Sequence, residues 1–260
     1  MKKILLVEGN LKEANQEFTE NGIKTHTESL QESISYYTNS LEIDSVNPSS
    51  DKDIFDKVKD LNKYEGLIWG GSSLNIYSDT KEIRRQIEFM KECQKKIKNI
   101  LAICWGMQVA VTAAGGVVNR GKNGAHRGIA HEIVINSDGL NHPIYKDKDK
   151  IFNTPAFNYD EVVTLPKDAI LLSSNKVNNV MALNFETEFS KIWGIQYHPE
   201  ITYEKMITLI RFRRERLLEN KSFLDEKDLE SHISMIENED KITKKESRMR
   251  ELKNWLDLIA

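Results

Sequence analysis

The chain has 260 residues, of which 39% are hydrophobic and 30% are charged, and its formal net charge is -3. This size and composition predict one large domain, or one domain with an extension, built around a substantial core. The small negative charge provides no basic surface for nucleic acid, so we expect no nucleic-acid partner. No apolar run approaches the ~20 residues that cross a bilayer, so we expect no membrane association either.

The first ten residues, MKKILLVEGN, combine two lysines with a short apolar run. A signal peptide needs a longer apolar stretch and a small-residue cleavage site, so residues 4–7 are better interpreted as a first buried strand. The two cysteines, Cys93 and Cys104, are too few to form a disulfide framework in a chain of this length. We therefore expect a cytoplasmic protein with both thiols reduced.

Short apolar runs at residues 4–7, 66–69 and 100–103 are typical of buried parallel strands. Residues 81–97 lie between the last two runs, and their apolar positions follow a helical period. A further helix follows Cys104 and ends at the pair Gly115-Gly116. Strands that alternate with helices in this way predict an α/β fold with a mostly parallel open sheet flanked by helices.

The middle of the chain predicts strands separated by turns, at residues 131–136, 161–165, 169–173, 180–185 and 191–196. A helix is expected over residues 201–219. The last forty residues are rich in charge, and Met249, Leu252, Leu256 and Ile259 repeat at helical spacing. We interpret residues 1–219 as the main domain and residues 220–260 as a C-terminal helical extension, packed on the main domain or on a partner.

The segment ILAICWGMQ indicates a sharp strand-to-helix turn at Cys104, with Gly106 two residues later. Such a turn exposes a nucleophile at a helix N-terminus, which favours a thiolate and leaves backbone N–H groups free to hold an oxyanion. Glycine tolerates the crowding beside the turn. A buried structural cysteine at a strand end explains the local pattern about equally well.

Two further segments complete this interpretation. In KIWGIQYHPE, a strand ends before His198, which could deprotonate Cys104, and Glu200 could hold the other ring nitrogen. In WGGSSLNIY, the Gly71 amide could meet that of Trp105 at an oxyanion position. Taken singly, the first segment is typical of a loop with a chance histidine and the second of a plain turn.

Taken in order, the three segments resemble those of the class I (triad) glutamine amidotransferases, over about residues 2–216. ICWGMQ resembles the nucleophile motif, most closely that of GMP synthetases, and GIQYHPE resembles the His/Glu motif. The resemblance implies a flavodoxin-like sheet and a Cys104–His198–Glu200 triad that hydrolyses L-glutamine through a thioester. It also implies that the Gly71 and Trp105 amides form an oxyanion hole.

The same resemblance assigns substrate contacts to Gly70 and Gln108. Two departures from the family pattern bear on these contacts. Many members have Gly-Gly-Pro where this chain has Gly-Gly-Ser at residues 70–72. Many also have His-Gly-Asp before a Leu-Pro pair, where this chain has Asn158-Tyr159-Asp160. Tyr159 and Asp160 are therefore candidates for contacts to the α-groups of glutamine.

The sequence around the other cysteine, the other histidines, the glycine-rich segment and the arginine run does not indicate a site. Cys93 is expected to be a packed or surface thiol, and His26 is isolated in the sequence. His126 and His131 lack the spacing of a helical zinc site, and residues 121–128 lack that of a phosphate loop, so neither metal nor cofactor is expected. The run 211–216, with four arginines, predicts a solvated helix face, although a partner subunit could use it.

These observations favour a glutaminase that supplies ammonia to a separate acceptor enzyme, because the sequence contains no nucleotide-binding motif of its own. The expected partners are L-glutamine and a separate synthetase subunit, and a homo-oligomer is compatible with the sequence. A γ-glutamyl hydrolase with a wider pocket is one alternative. Homoserine O-acyltransferase is another, because those enzymes also contain Cys-Trp-Gly, and an inactive scaffold is the third.

Overall fold

The computed structural model describes residues 2–57 and 59–259. A nine-stranded sheet forms the centre, in the order β2-β1-β3-β4-β13-β12-β11-β7-β8, and two further pairs, β10-β5 and β6-β9, form small sheets beside it. The strands are β1 Lys2–Val7, β2 Leu41–Val46, β3 Gly66–Trp69, β4 Asn99–Ile103, β5 Val117–Arg120, β6 His126–Arg127, β7 Ala130–Ile135, β8 Ile151–Thr154, β9 Phe157–Asn158, β10 Asp160–Thr164, β11 Ile170–Ser174, β12 Ala182–Glu186 and β13 Lys191–Ile195.

Helices cover both faces of the large sheet. They are α1 Lys12–Glu20, α2 His26–Tyr37, α3 Ile54–Lys57, α4 Lys81–Lys96, α5 Trp105–Ala113, α6 Ser137–Leu140, α7 Tyr203–Phe212, α8 Arg214–Glu219, α9 Glu226–Ile242, α10 Lys245–Arg248 and α11 Arg250–Ile259. Within the described ranges, no helix combines the length and the apolar character that crossing a bilayer requires.

The large sheet has a parallel half and an antiparallel half. Strands β2, β1, β3, β4 and β13 run parallel, and β12, β11, β7 and β8 continue the sheet in antiparallel fashion. The predicted α/β fold with helices on both sides is therefore confirmed. Because parallel strands share one direction, the segments after β1, β3, β4 and β13 all emerge at the same edge, where ligands bind in open α/β sheets.

Two apolar cores form on the two faces of the parallel half, because successive residues of a strand point to opposite sides. Leu5 and Val7 of β1 join the core beneath α4 and α5. Ile4 and Leu6 join the opposite core, which also contains Leu30 of α2. Burial on both faces explains why these strands have nearly continuous apolar sequences.

The C-terminal extension packs directly on the second core. Met249, Leu252, Trp255, Leu256 and Ile259 are all buried there, and α9 belongs to a third core with α7. The Trp255 ring lies over Gly66, where a Cβ would stand 2.6 Å from the indole. The division of the chain at residues 219 and 220 stays a prediction.

Two predicted elements differ from the structure. Residues 161–165 lie outside the large sheet, because β10 pairs with β5 instead. The helix expected over residues 201–219 is interrupted at Arg213, between α7 and α8. At this break the Arg213 guanidinium donates a hydrogen bond to Oγ of Ser73, 2.8 Å away, and lies 4.8 Å from the ring centre of Phe157. The interruption thus turns an arginine of the predicted solvated face towards the sheet edge.

Candidate active site

Cys104 occupies a strained turn between β4 and α5. Its φ of 53° and ψ of -105° are unusual for a residue with a side chain. The turn is held by the Cys104 amide, which donates to the Ile195 carbonyl at 2.7 Å, and by the Gly106 amide, which donates to the Gly70 carbonyl at 3.1 Å. A Cβ at Gly106 would stand 2.3 Å from the Trp69 carbonyl oxygen, so glycine is required there.

The Cys104 thiol lies at the N-terminus of α5, 4% exposed. Nε2 of Gln196 donates to its sulfur at 3.4 Å, and the charge of a Cys104 thiolate raises the pKa of the His198 imidazole, which lines the same cavity. A helix N-terminus and nearby N–H donors both favour a negative charge on sulfur. This surrounding is that of a reactive cysteine. Cys93, by contrast, is completely buried in the core, and burial raises the pKa of its thiol.

His198 and Glu200 follow β13 in a short turn. Nδ1 of His198 lies 2.8 Å from Oε1 of Glu200, and both side chains are buried. Burial by itself lowers the pKa of His198, but the negative charges of Glu200 and Cys104 outweigh it and raise that pKa to about 10. Burial raises the pKa of Glu200, and the neighbouring imidazolium more than reverses this effect. The arrangement therefore stabilises a charged imidazole between two anions.

Residues of the C-terminal extension form hydrogen bonds with this turn. The Arg248 guanidinium donates hydrogen bonds to the carbonyls of Pro199 and Ile201. The Tyr197 hydroxyl donates to Glu251 at 2.8 Å, and Glu251 also pairs with the buried Lys148 at 3.1 Å. These contacts tie the backbone on both sides of His198 to helices α10 and α11, which fixes the position of the imidazole.

The Gly70-Gly71 loop lies against the Cys104 turn and the His198 ring. Neither the Gly71 amide nor the Trp105 amide donates to another group in the part of the chain that the structure describes. Neither amide is therefore engaged elsewhere, and their role in holding an oxyanion stays a prediction. Gly70, predicted to contact substrate, borders neither of the two cavities described below, and its carbonyl instead binds the Gly106 amide.

Gly71→Ala is expected to reduce turnover on the order of 10²-fold, the effect of losing one oxyanion donor. A Cβ at this position would stand 2.5 Å from the His26 ring and 2.9 Å from the His198 ring, so the loop must move. Steady-state kinetics check the result. Gly115→Ala is the control for backbone strain: its φ of 84° makes an alanine unfavourable there, but the Cβ meets nothing within 4 Å and the residue borders neither cavity described below, so turnover is expected to stay unchanged. Equal turnover of Gly71→Ala and wild type would contradict this role of the loop.

Two cavities meet at Cys104. The first, here called the Gln108 cavity, encloses about 640 Å³ and contains the predicted substrate residues Gln108, Tyr159 and Asp160. The remaining lining residues are Ser72, Ser73, Leu74, Asn75, Cys104, Trp105, Phe157, Asn158, Arg213, Arg216 and Leu217. The predicted thiol, amide side chain and carboxylate are thus brought together at one edge of the sheet.

Both signs of charge line the Gln108 cavity. The buried Asp160 carboxylate accepts hydrogen bonds from Asn75 at 2.7 Å and from the Tyr77 hydroxyl at 3.1 Å. Arg213 and Arg216 line the same cavity. Burial lowers the pKa of Arg213 to about 10, so its guanidinium stays charged at neutral pH. Such a cavity suits a zwitterion that carries both an ammonium and a carboxylate.

The second cavity, here called the His26 cavity, has a volume of about 790 Å³ with its open mouth included, and it shares Ser72, Ser73, Cys104, Phe157 and Arg213 with the first. His198 lines this cavity and not the first. Its other lining residues are Phe18, Gly22, Ile23, Lys24, His26, Ser29, Ser72, Ser73, Cys104, Phe157, Ile201, Lys205, Met206, Thr208, Leu209 and Arg213. Cys104 therefore stands between a polar cavity and a largely apolar one.

His26, isolated in the sequence, is adjacent to the site in the structure. Its ring stacks on that of His198, with centroids 5.5 Å apart, and its Nδ1 lies 4.0 Å from Glu200. Burial and the neighbouring imidazolium lower the pKa of His26 to about 3, so this ring is neutral. The buried Glu8 carboxylate accepts N–H bonds at the start of α2 and holds the helix in place.

A local sequence pattern predicts the position of His26 in its helix but not its contact with His198. Thr25 and Glu28 form a capping box, which a reader of the sequence can recognise and which places His26 at the first position of a helix. Nothing local indicates which element that helix end faces. The contact with His198 joins residues 172 positions apart, so only the fold reveals it.

One group of residues has the composition of a metal site. His26, His198 and Glu200 offer ligand atoms that all lie within 4.8 Å of one another. Nδ1 of His198 and Oε1 of Glu200 already contact each other, so an ion there would break the pair. His126, considered in the sequence, has both ring nitrogens within hydrogen-bond distance of asparagines, Asn158 and Asn175.

Comparison with known proteins identifies the family. A family model described as glutamine amidotransferase class-I matches residues 22–214. A γ-glutamyl-L-1-hydroxyisopropylamide hydrolase of Pseudomonas sp is 31% identical over 166 residues, which are 63% of this chain and 56% of that protein. Gamma-glutamyl peptidase 4 of Arabidopsis thaliana is 30% identical over 158 residues, 60% of this chain and 61% of the peptidase. The matches thus span less than two thirds of these relatives.

A glutamine-hydrolysing GMP synthase subunit of Methanosarcina acetivorans is 32% identical over 106 residues, 41% of this chain and 52% of that protein. A glutamine amidotransferase structure from Thermotoga maritima superposes with a TM-score of 0.68 at 18% identity, covering 99% of this chain and 97% of that one. This structural likeness concerns the fold, and it includes the C-terminal helices.

Proposed function

Because the chain belongs to the class I glutamine amidotransferase family, we propose that it hydrolyses the amide bond of γ-glutamyl compounds through a thioester on Cys104. One observation carries the proposal: Nδ1 of His198 lies 2.8 Å from the Glu200 carboxylate, the same ring lines a cavity with Cys104, and Cys104 also lines the Gln108 cavity. This arrangement has the geometry of a nucleophile, a general base and an orienting acid.

In the first half of the reaction, the Cys104 thiolate attacks the carbonyl carbon of the γ-amide. The oxygen gains a negative charge and is held by the Gly71 and Trp105 amides. The His198 imidazolium gives its proton to the amide nitrogen, the C–N bond breaks, and the amine leaves. The γ-glutamyl group stays on sulfur as a thioester.

In the second half, the neutral His198 takes a proton from a water molecule, and the resulting hydroxide attacks the thioester carbon. The C–S bond breaks, glutamate leaves, and the thiolate returns beside the imidazolium. Glu200 stays ionised throughout, which keeps the ring in one orientation and stabilises its positive charge. Its buried position beside His198 suits that role.

The charges of the Gln108 cavity support a glutamyl substrate. We assign Asp160 to the α-ammonium group and Arg213, with Arg216, to the α-carboxylate. A zwitterion fits this pair of opposite charges better than the acyl chain of an acyl-CoA does, so we rank homoserine acyl transfer below amide hydrolysis. Gln108 lines the same cavity as these charges and Cys104, so its side chain is a candidate for a contact with the glutamyl chain.

The fate of the nitrogen separates two candidate functions. If the substrate is L-glutamine, the product is ammonia, and a separate synthetase subunit would use it, as the GMP synthase relative suggests. If the substrate is a substituted γ-glutamyl amide, the product is a free amine, as the names of the hydrolase and peptidase relatives suggest. Glutamate release from glutamine and from a γ-glutamyl dipeptide, measured on one enzyme preparation, tests the proposal. No glutamate from either would contradict it.

Asp160→Asn is expected to raise KM about tenfold and to change kcat little, because the lost charge binds the α-ammonium group far from the reacting bond. Steady-state kinetics with a γ-glutamyl substrate measure both constants. Glu161→Gln is the matched control, since Glu161 is the adjacent buried acid but borders neither cavity. An unchanged KM in Asp160→Asn would contradict the assignment.

A further inference from the structure

We infer that the His26 cavity is the subsite for the leaving amine, and that it selects γ-glutamyl amides whose amine carries an apolar side chain and a carboxylate. A γ-glutamyl dipeptide with an apolar second residue has this chemistry. The inference rests on the proposed amide hydrolysis and identifies the substrate class for it. It concerns the side of Cys104 opposite the glutamyl group.

The position of His198 determines which cavity receives the amine. The leaving nitrogen must lie within hydrogen-bond reach of the group that protonates it. His198 lines the His26 cavity and is absent from the lining of the Gln108 cavity, whereas Cys104 lines both. A substrate therefore runs across Cys104, with its glutamyl part in the Gln108 cavity and its amine on the side of His198.

The size and walls of the His26 cavity suit a substituted amine. About 10–15 Å³ of space for the centre of a water-sized molecule is enough to hold one water or ammonia, and this cavity offers about 130 Å³ on the same measure. Phe18, Ile23, Met206 and Leu209 supply apolar walls. The neutral His26 ring adds a further flat surface beside His198. Such walls bind an apolar side chain by excluding water.

The charges of this cavity favour a carboxylate. Among the residues that the structure describes, no Asp or Glu lines it, whereas Lys24 and Lys205 do; Arg213 lines it too but is assigned above to the α-carboxylate of the glutamyl part. Both lysines hold the Glu32 carboxylate, at 3.0 and 2.8 Å, and these contacts lower the pKa of Glu32 to about 2. One anion thus offsets one of the two lysine charges, and a net positive charge remains. A second ammonium on the amine would be repelled.

The test compares four substrates of the purified full chain. They are γ-glutamyl-leucine, γ-glutamyl-isoamylamide, which lacks only the carboxylate, γ-glutamyl-glycine, which lacks the apolar side chain, and glutamine. We expect kcat/KM to be highest for γ-glutamyl-leucine and about tenfold lower for each compound that lacks one group. Glutamine, which lacks both, is expected to be about 100-fold poorer.

A lysine variant tests the carboxylate contact. In Lys205→Met, the preference for γ-glutamyl-leucine over γ-glutamyl-isoamylamide is expected to fall about tenfold, the usual value of one charged contact. Lys91→Met is the matched control, because Lys91 pairs with Glu88 at 2.8 Å on the surface of α4, outside both cavities. That variant is expected to keep the wild-type preference.

The outcomes distinguish a failure of the amine subsite from a failure of the proposed amide hydrolysis. If glutamine is hydrolysed best and Lys205→Met keeps the wild-type preference, the amine subsite is wrong while amide hydrolysis stands. γ-Glutamyl-putrescine, whose amine carries a cation, is assayed beside these four compounds, and a preference for it over γ-glutamyl-leucine would also overturn the subsite. If none of the compounds releases glutamate, amide hydrolysis itself is contradicted and the subsite with it.

Discussion

Cys104→Ser is expected to lower glutamate release from γ-glutamyl-leucine by at least about 10⁴-fold, which is the scale of losing the nucleophile from a triad. A serine hydroxyl ionises far less readily than a thiol, and the geometry provides only the His198 imidazole to deprotonate it. Steady-state kinetics with coupled detection of glutamate measure the loss. The folded state is checked by comparing thermal unfolding of the variant and the wild type.

Cys93→Ser is the control for the nucleophile. Cys93 is fully buried in the core beneath α4, and its thiol pKa is raised, so it offers little thiolate. We expect this variant to keep its turnover. A glutamine analogue with an electrophile at the γ-position should label Cys104 and leave Cys93 unlabelled, as peptide mass mapping will reveal. Equal labelling of both cysteines, or retained activity in Cys104→Ser, would refute the assignment.

The parallel half of the sheet could be predicted from the sequence because burial on both faces produces continuous apolar runs. Residues 4–7, 66–69 and 100–103 coincide with β1, β3 and β4 to within two residues. The edge strand β2 gives no such signal, because its residues are only half buried or exposed. Edge strands contact a neighbour on one side only, so their sequences are less constrained.

The three residues of the proposed triad could be found because each lies directly after an apolar strand. Strands β4 and β13 are adjacent and parallel, so the segments that follow them meet in space. The sequence contains no corresponding signal for His26, Arg213 or Arg248. Their roles depend on where helices α2, α8 and α10 pack, and such packing is a property of the whole fold rather than of a local pattern.

The residues that line the two cavities also differ in how far the sequence predicts them. Asp160 could be assigned to the substrate from its position in a family-like motif, whereas its counter-charge Arg213 was predicted to face solvent. The helical period places Arg213 on an exposed face only if residues 201–219 form one helix. The break between α7 and α8 turns the Arg213 side chain inwards, and its guanidinium then lines both cavities. A local change of backbone direction thus adds one positive charge to each cavity wall.

Glu200→Gln is expected to lower turnover about 1000-fold near pH 8, less than Cys104→Ser or His198→Ala, because the thiol and the imidazole still pair without the carboxylate. Glu200 borders neither cavity, so KM is expected to change little. Steady-state kinetics of the three variants give the ranking. Wild-type turnover in Glu200→Gln would mean that the site works as a Cys104–His198 dyad.

The loss in Glu200→Gln is also expected to grow with pH. In the wild type, burial lowers the pKa of His198 while Glu200 and Cys104 together raise it to about 10, so the imidazolium persists through neutral pH. Without the Glu200 charge that pKa falls, and the ring loses its proton at a lower pH. The alkaline limb of kcat must therefore move to lower pH in the variant.

Profiles of kcat from pH 5 to pH 10 measure this shift. Glu161→Gln is the matched control, because it removes a buried carboxylate that has no contact with His198. Its alkaline limb should coincide with that of the wild type. A constant ratio between Glu200→Gln and wild type at every pH would show that Glu200 only orients the ring. The loss is expected to become smaller towards low pH without vanishing, because the imidazolium is then present in both enzymes while its orientation still differs.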